Sequence, residues 1–156
     1  MRREFEASLI AVAASAHALD ALYGSTVVPA SVRQIWASKG TKRHGKIREA
    51  LKLVFNTGAV NARWAVDFAW LFDLRDAAAH PEEKPKASVP HPLGTNTAPE
   101  YVDYSVESAE RAVELALSVL RWCVEHPRSA QPDVVRWAAS HQSAVADLES
   151  LWGQHR

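Results

Sequence analysis

The sequence predicts an all-α protein, an up-and-down bundle of four or five helices with one long proline-rich crossover loop. Three observations carry this prediction. Apolar residues recur every three or four positions along most of the chain, which is the period of a helix with one buried face. No segment shows the alternation of apolar and polar residues that marks a half-buried strand. Five of the eight prolines lie between positions 81 and 99, a density incompatible with a helix or a central strand.

Length and composition indicate one domain over residues 1–156, because 156 residues with 47% hydrophobic content can bury a single core. The formal net charge is zero, so the overall balance does not indicate a nucleic-acid-binding protein. The single cysteine, Cys123, excludes a disulfide framework and favours a reducing compartment. We find no uncharged apolar run of about 18 residues, so we expect a cytoplasmic protein without a membrane span.

The first helix is predicted from an apolar stripe at spacings of three and four, formed by Phe5, Leu9, Val12, Ala16, Leu19 and Tyr23. The basic start, Arg2 and Arg3, resembles that of a signal peptide. Glu4 and Glu6 cancel this charge, and the stripe continues past any cleavage point, so a mature helix is favoured. Gly24 is expected to end the helix in a left-handed cap.

The remaining helices follow from the same period and from their terminating residues. The third main helix carries two apolar faces, one with Trp64, Phe68, Leu71 and Phe72 and one with Val66 and Trp70, which predicts burial on more than one side. In chain order, we predict a short helix over 31–38 and main helices over 46–55, 61–80, 105–125 and from Pro132 to just before Gly153, with a loop over 81–101 between the third and the fourth.

Arg75 and His80 close the third main helix, directly before Pro81. Residues five apart on an ideal helix point about 140° away from each other, so the two side chains need a break in the helix to cooperate. Pro81 supplies it, because a residue before proline is pushed out of the helical region. Asp76 lies four residues before His80 and is expected to orient its imidazole. Arginine suits phosphate and histidine moves protons near neutral pH, so these residue types indicate phosphodiester cleavage.

In Arg75-Asp76-Ala77-Ala78-Ala79-His80 the sequence resembles the HEPN domains, small helical bundles defined by an arginine, a short spacer and a histidine, usually with a polar residue after the arginine. The helix order is also similar, with 18–23 closing the first helix and the motif ending the third. The resemblance implies metal-independent RNA cleavage, without a cofactor, at a composite site of a homodimer. It implies that Arg75 stabilises the phosphate and His80 transfers the proton of the 2′-hydroxyl, leaving a 2′,3′-cyclic phosphate. Many members are toxins or defence effectors, so an antitoxin or regulatory protein is an expected partner.

A basic segment over 33–52 holds seven lysines and arginines against one acid, Glu49. Clustered cations can follow a phosphate backbone, and an aromatic residue, here Trp36, can stack on a base. The alternative is a solvated helix face, with Trp36 in the core. The side chains predicted to bind RNA are Lys42, Arg43, Lys46 and Arg48.

Three other functions fit some of these residues. A metal site is one, because Asp76 and His80 have chelating spacing and further ligand types lie on other helices, namely His17, Asp20 and His141; the sequence contains no helical metal motif, so we predict no metal. Cys123 has apolar neighbours that favour an inert, buried thiol. A non-catalytic dimeric binding module also fits, because some HEPN domains lack nuclease activity and the six tryptophans suit an interface as well as a core.

Overall fold

The computed structural model describes residues 2–26, 28–79, 88–90, 96–97 and 102–154, and within them it confirms the all-α fold class. Two two-residue strands, β1 (Val89–Pro90) and β2 (Asn96–Thr97), pair antiparallel inside the predicted crossover. The helices are α1 (Arg2–Gly24), α2 (Ala30–Ser38), α3 (Arg43–Val54), α4 (Gly58–Ala79), α5 (Val106–Glu125) and α6 (Pro132–Gln154).

Helix α1 lies at the centre of the bundle and packs against α3, α4 and α5, whereas α6 packs mainly against α5. The predicted stripe of α1 faces inward, with its three middle members fully buried and its ends partly buried. Burial of these side chains is the main driving force that holds the helices together. The fully buried residues of the core include Val12, Ala16, Leu19, Ile47, Leu51, Phe68, Leu71, Val119 and Cys123.

Helix α3 begins at Arg43, three residues earlier than predicted, because Gly45 is a helical residue and does not end the preceding turn. An added Cβ at Gly45 would lie 3.1 Å from Cγ2 of Thr41, so glycine lets this turn pack closely. Gly40 makes the turn after α2 with a φ of 59°, in the left-handed region. The carbonyl of Lys42 then accepts the first helical bond, from Lys46 N–H. The basic segment is therefore an ordered turn and helix start.

Helix α1 ends at Gly24 as predicted. The prediction of a left-handed cap there was wrong, because among the described glycines only Gly40 has a positive φ. Ser25 and Thr26 end the helix instead. Their hydroxyl groups donate to the carbonyls of Leu22 and Tyr23, both at 2.7 Å. These bonds satisfy carbonyls that have no partner inside the helix.

The last two helices agree with prediction in position and differ in burial. The hydroxyl of Ser105 accepts the N–H of Ser108 at 3.3 Å and so caps α5 where the sequence predicts its start. Helix α6 continues through Gly153 to Gln154, and Leu148 on its predicted inner stripe is 48% exposed. The predicted second buried face of α4 is also wrong at Val66, which is 71% exposed. These apolar positions of α4 and α6 are therefore exposed to solvent, although their spacing predicts burial.

One helix of the described residues, over Arg3–Gly24, is long and apolar enough to cross a membrane by length and composition alone. About 33% of its apolar window is buried inside the bundle, and both signal sequences and core helices meet the same criterion. The helix is therefore weak support for a membrane location.

Candidate functional site

Arg75 lies near the C-terminal end of α4, with its side chain 21% exposed and fixed on three sides. Its Nη1 donates to Oδ2 of Asp20 on α1 at 2.7 Å. Its Nε and Nη2 donate to Oδ1 of Asp76 at 3.0 and 2.6 Å. The guanidinium carbon lies 4.6 Å from the centre of the Phe72 ring, one helical turn earlier. The planar fork is therefore held in one place and orientation.

Asp20 brings a second arginine to the same point. Its Oδ1 accepts from Nε of Arg43, the first residue of α3, at 2.7 Å. Each oxygen of this one carboxylate therefore binds a different guanidinium group. The guanidinium carbon of Arg43 lies 4.4 Å from the centre of the Tyr23 ring. We call this arrangement of Asp20, Arg43 and Arg75 the two-arginine cluster.

Tyr104 fixes the end of α4 beside Arg75. Its hydroxyl donates to the carbonyl of Leu74 at 2.8 Å, and its ring meets the Phe5 ring edge-on at 5.6 Å. Tyr104 is buried and lies in the short segment that leads into α5. The chain that returns from the crossover is thus anchored next to the candidate site.

Asp76 and His80 were predicted to contact each other. Asp76 contacts Arg75 through one oxygen that accepts two hydrogen bonds, so its carboxylate orients the arginine. His80 lies outside the described residues, and in the sequence it is the residue that follows Ala79, the last residue of α4. Of the three predicted catalytic residues, the structure places Arg75 and Asp76 together.

The four predicted RNA-binding side chains have different surroundings. Lys42 is exposed and its Nζ lies 3.7 Å from an oxygen of Asp73 on α4. Arg43 belongs to the two-arginine cluster, and Lys46 is half-buried on the first turns of α3. Arg48 points into the α3–α4 contact, where it binds Asn61. Lys42 and Arg43 therefore lie on the side of Arg75, whereas Arg48 joins two helices.

The Arg48–Asn61 contact consists of three hydrogen bonds. Nη2 of Arg48 donates to the carbonyl oxygen and to Oδ1 of Asn61 at 3.0 and 2.7 Å, and Nδ2 of Asn61 donates to the Arg48 carbonyl at 3.1 Å. Asn61 is 1% exposed. A buried amide needs such partners, so these bonds stabilise the packing of α3 on α4.

His44 was not among the predicted site residues, and the structure gives it an unusual environment. It follows Arg43 on α3 and is half-buried, and its Nδ1 is enclosed with no hydrogen-bond partner among the described residues. Burial lowers the pKa of His44 below its ordinary value, and Lys42 and Arg48 lower it further, while Asp73 opposes them. The imidazole is therefore predominantly neutral at pH 7.

Other residues considered from the sequence occupy structural positions. Trp36 is buried against Val28 and Ala50, so it belongs to the core and is not available for stacking on a base. Cys123 is fully buried, and burial raises the pKa of its thiol well above the usual range, which makes it inert. His141 is exposed and stacks on Trp137. No group of three or more His, Cys, Asp or Glu side chains in the described part of the chain is arranged to hold a metal ion.

Sequence reasoning missed the role of Asp20, which it considered only as a metal ligand. Asp20 lies next to Leu19 in the buried stripe of α1, and an acid so close to a buried face is a signal that a cation must lie nearby. That signal does not identify the cation, because Arg75 is 55 residues away in the chain.

Comparison with protein-family models, with characterised proteins and with solved structures finds no significant match to this chain.

Proposed function

We propose that this chain is a metal-independent endoribonuclease of the HEPN type. The observation that supports this most is the fixed guanidinium of Arg75, which two carboxylates and an aromatic ring hold at the end of α4. The basic start of α3 lies beside it, and His80 follows α4 directly in the sequence. A preorganised cation next to a group that can move protons is what phosphodiester cleavage requires.

In the proposed reaction the 2′-oxygen of RNA attacks the adjacent phosphorus, and the bond from phosphorus to the 5′-oxygen breaks. His80 removes the proton of the 2′-hydroxyl, and the leaving 5′-oxygen takes up a proton from water. Arg75 donates hydrogen bonds to the non-bridging oxygens, on which negative charge grows in the transition state. Asp76 supports the reaction through Arg75, since its carboxylate holds the guanidinium fork. The product carries a 2′,3′-cyclic phosphate.

RNA binding is assigned to Lys42 and Arg43, which lie on the Arg75 side of the start of α3, and to Lys46 on the next turn. The positive end of the α3 dipole adds to their attraction for phosphate. Arg48 supports binding only indirectly, by holding α3 on α4 through Asn61. The remaining parts of the proposal follow the family resemblance: a cytoplasmic toxin or defence effector, a homodimer with a composite site, and an antitoxin or regulatory protein as partner.

The first test is incubation of the purified chain with total RNA and transfer RNA, with and without EDTA, followed by analysis of the fragment ends. We expect cleavage that resists EDTA and leaves 2′,3′-cyclic phosphates. Arg75→Ala and His80→Ala should each lower the rate, the former by about 10²–10³-fold. Arg111→Ala, which removes an arginine in a different part of the molecule, serves as the matched control and should cut at the wild-type rate.

Mixing tests the composite site. If Arg75 of one protomer works with His80 of the other, Arg75→Ala and His80→Ala chains are each inactive alone and regain part of the activity when they form mixed dimers. Sedimentation of the wild-type chain at several concentrations gives the oligomeric state independently. A monomer that cleaves RNA would refute the composite site and leave the nuclease proposal intact.

A non-catalytic binding module is the second candidate, because α6 exposes apolar side chains. Three large ones, Val135, Leu148 and Leu151, lie along this helix, and exposed apolar surface is typical of protein interfaces. Absence of RNA cleavage under all of these conditions, together with a stable dimer, would favour this function. Cleavage that EDTA abolishes would favour a metal-dependent enzyme.

A further inference from the structure

The carboxylate of Asp20 stands where an oxyanion could bind two arginines. One of its oxygens accepts from Nη1 of Arg75 and the other from Nε of Arg43, both at 2.7 Å. A phosphate group also presents two oxygens to arginine donors in this way. The Asp20 side chain is 21% exposed, so its place can be reached from solvent.

Both guanidinium groups are held independently of Asp20. Arg43 lies over the Tyr23 ring and Arg75 over the Phe72 ring, with guanidinium carbons 4.4 and 4.6 Å from the ring centres. Asp76 holds the other two nitrogen atoms of Arg75. If the Asp20 carboxylate turned away, Arg75 would retain its Asp76 bonds and its ring contact, Arg43 would retain its ring contact, and no anion would lie between them.

The charges of this group cancel while Asp20 is bound. Arg43 and Arg75 carry two positive charges, and Asp20 and Asp76 carry two negative charges. An anion that approaches meets a neutral group and a carboxylate already bonded to both arginines. An RNA phosphate must therefore compete with Asp20 before it can bind between the two arginines.

We propose that Arg43 and Arg75 form one binding site for a phosphate oxyanion and that the carboxylate of Asp20 occupies this site until the oxyanion displaces it. This inference rests on the proposed function only in taking the RNA backbone as the expected source of the phosphate. It makes Asp20 an internal competitor that lowers affinity for the ligand. An ordinary structural ion pair would have the opposite effect, because its loss would disorder the arginines and weaken binding.

The test is binding of a 2′-O-methyl oligonucleotide, which carries phosphodiesters and cannot be cleaved by 2′-hydroxyl attack. Asp20→Asn removes the charge and keeps the shape of the side chain. We expect it to bind the oligonucleotide about fivefold more tightly than the wild type, as measured by fluorescence anisotropy. The double variant Asp20→Asn, Arg43→Ala should lose this gain, because the gain depends on the second arginine.

Asp67→Asn is the matched control. Asp67 also binds one arginine, Arg111, whose guanidinium carbon lies over the Trp70 ring, so its loss changes the net charge by the same amount at a different place. We expect a smaller change in affinity for Asp67→Asn than for Asp20→Asn. Equal gains in affinity in both variants would overturn the proposal, since net charge would then explain the effect. Unchanged or weaker binding by Asp20→Asn would also overturn it.

A second measurement covers the case in which Asp20→Asn does not fold. In the wild-type chain, the NMR signals of the Arg43 and Arg75 Nε–H groups should both shift when the oligonucleotide is added. The signal of Arg111 should stay in place. Failure of both cluster signals to shift at saturating oligonucleotide would contradict a phosphate site between them.

Inorganic phosphate distinguishes the two sources of this ligand chemistry. If only the oligonucleotide binds more tightly to Asp20→Asn, the site takes a backbone diester. If the affinity for inorganic phosphate rises by the same factor, the site takes a free phosphate group. Both results support the oxyanion site. Because binding is measured without cleavage, a gain in Asp20→Asn combined with no RNA cleavage by the wild type would refute the nuclease proposal alone.

Discussion

Three arginines in the described part of the chain lie over an aromatic ring and bind an aspartate, and Arg111 differs from Arg43 and Arg75 in what its aspartate does. Arg111 donates from Nε and Nη2 to a single oxygen of Asp67, at 2.9 and 2.5 Å, and lies over Trp70. Its side chain is 45% exposed, compared with 21% for Arg75. At Arg75, the Asp20 carboxylate is shared with a second arginine, and Asp76 adds another.

The two groups therefore share an arginine, a ring and a carboxylate, and they differ in how many charges meet there. The Arg111 group is a single ion pair on the outer surface of α4 and α5. The two-arginine cluster gathers charges from α1, α3 and α4 at one point. Asp20 and Arg75 are each 21% exposed there and interact more strongly than an exposed pair, whereas Arg43 is 43% exposed. Substitutions at the two places should therefore have different consequences.

The largest expected effect is on RNA cleavage. Arg75→Ala should lower the single-turnover rate by about 10²–10³-fold, because the transition state loses a fixed cation. Arg75→Lys should recover little of it, since a lysine cannot keep the planar fork that binds Asp20 and Asp76 at once. The measurement is cleavage of a labelled RNA at saturating enzyme.

Arg111→Ala and Arg111→Lys are the matched controls for this prediction, and both should cleave within about twofold of the wild type, since surface substitutions away from a site have small effects. An equal loss at Arg111 and Arg75 would show that the comparison is wrong and that general RNA attraction explains the data. Circular dichroism of each variant excludes loss of the fold.

The next effect is on stability and concerns Arg48, an arginine that binds a neutral partner, Asn61. Arg48→Ala should lower the free energy of unfolding by about 1–3 kcal/mol, because Asn61 is buried and would lose its Oδ1 partner. Urea unfolding measures this. Arg33→Ala, on the exposed side of α2, is the control and should change stability by less than about 0.5 kcal/mol. Equal losses would mean that the Arg48–Asn61 bonds add nothing specific.

The helices could be predicted from the sequence because each is governed by local rules. The three-and-four spacing of apolar residues predicts α1, α4 and α5 to within three residues at each end. Pro127 and Pro132 predict the short connection before α6. The burial of Cys123 was also predicted from its apolar neighbours, and for Trp36 the structure supports the core, which was one of two alternatives.

The candidate site could be predicted only in part, because it depends on which helices pack together. Arg75 and Asp76 are adjacent in the chain, and their motif identified them. Asp20 and Arg43 are 23 residues apart, and no local pattern pairs them. The predicted start of α3 at position 46 left Arg43 outside the helix, whereas the structure begins α3 at Arg43.

The stability of the region around the two-arginine cluster should depend on pH, because His44 follows Arg43 in the chain. The pKa of His44 is lowered in the folded state, first by burial and then by Lys42 and Arg48, with Asp73 opposing. The unfolded chain therefore binds more protons at His44 near its ordinary pKa of about 6.5. The contribution of His44 to stability is present above this pH and is lost as the pH falls through the folded pKa.

We expect His44→Gln to lose less stability than the wild type between pH 7.5 and pH 5.5, measured by urea unfolding at each pH. The chain has seven histidines, and the difference between the two proteins isolates the contribution of His44. His17→Gln, at an exposed position on α1, is the control for replacing a histidine by glutamine. A steeper slope for His44→Gln would mean that Asp73 outweighs burial and the cations.

The smallest effect is expected at the Arg111–Asp67 pair. Its side chains are 45% and 35% exposed, and pairs of this kind contribute about 0–1 kcal/mol to stability. A double-mutant cycle with Arg111→Ala and Asp67→Ala measures their coupling free energy, which 1 M salt should lower further. A coupling well above 1 kcal/mol that persists in salt would show that an arginine, a ring and one carboxylate suffice for a strong interaction. Exposure and the shared carboxylate would then no longer explain why the two regions differ.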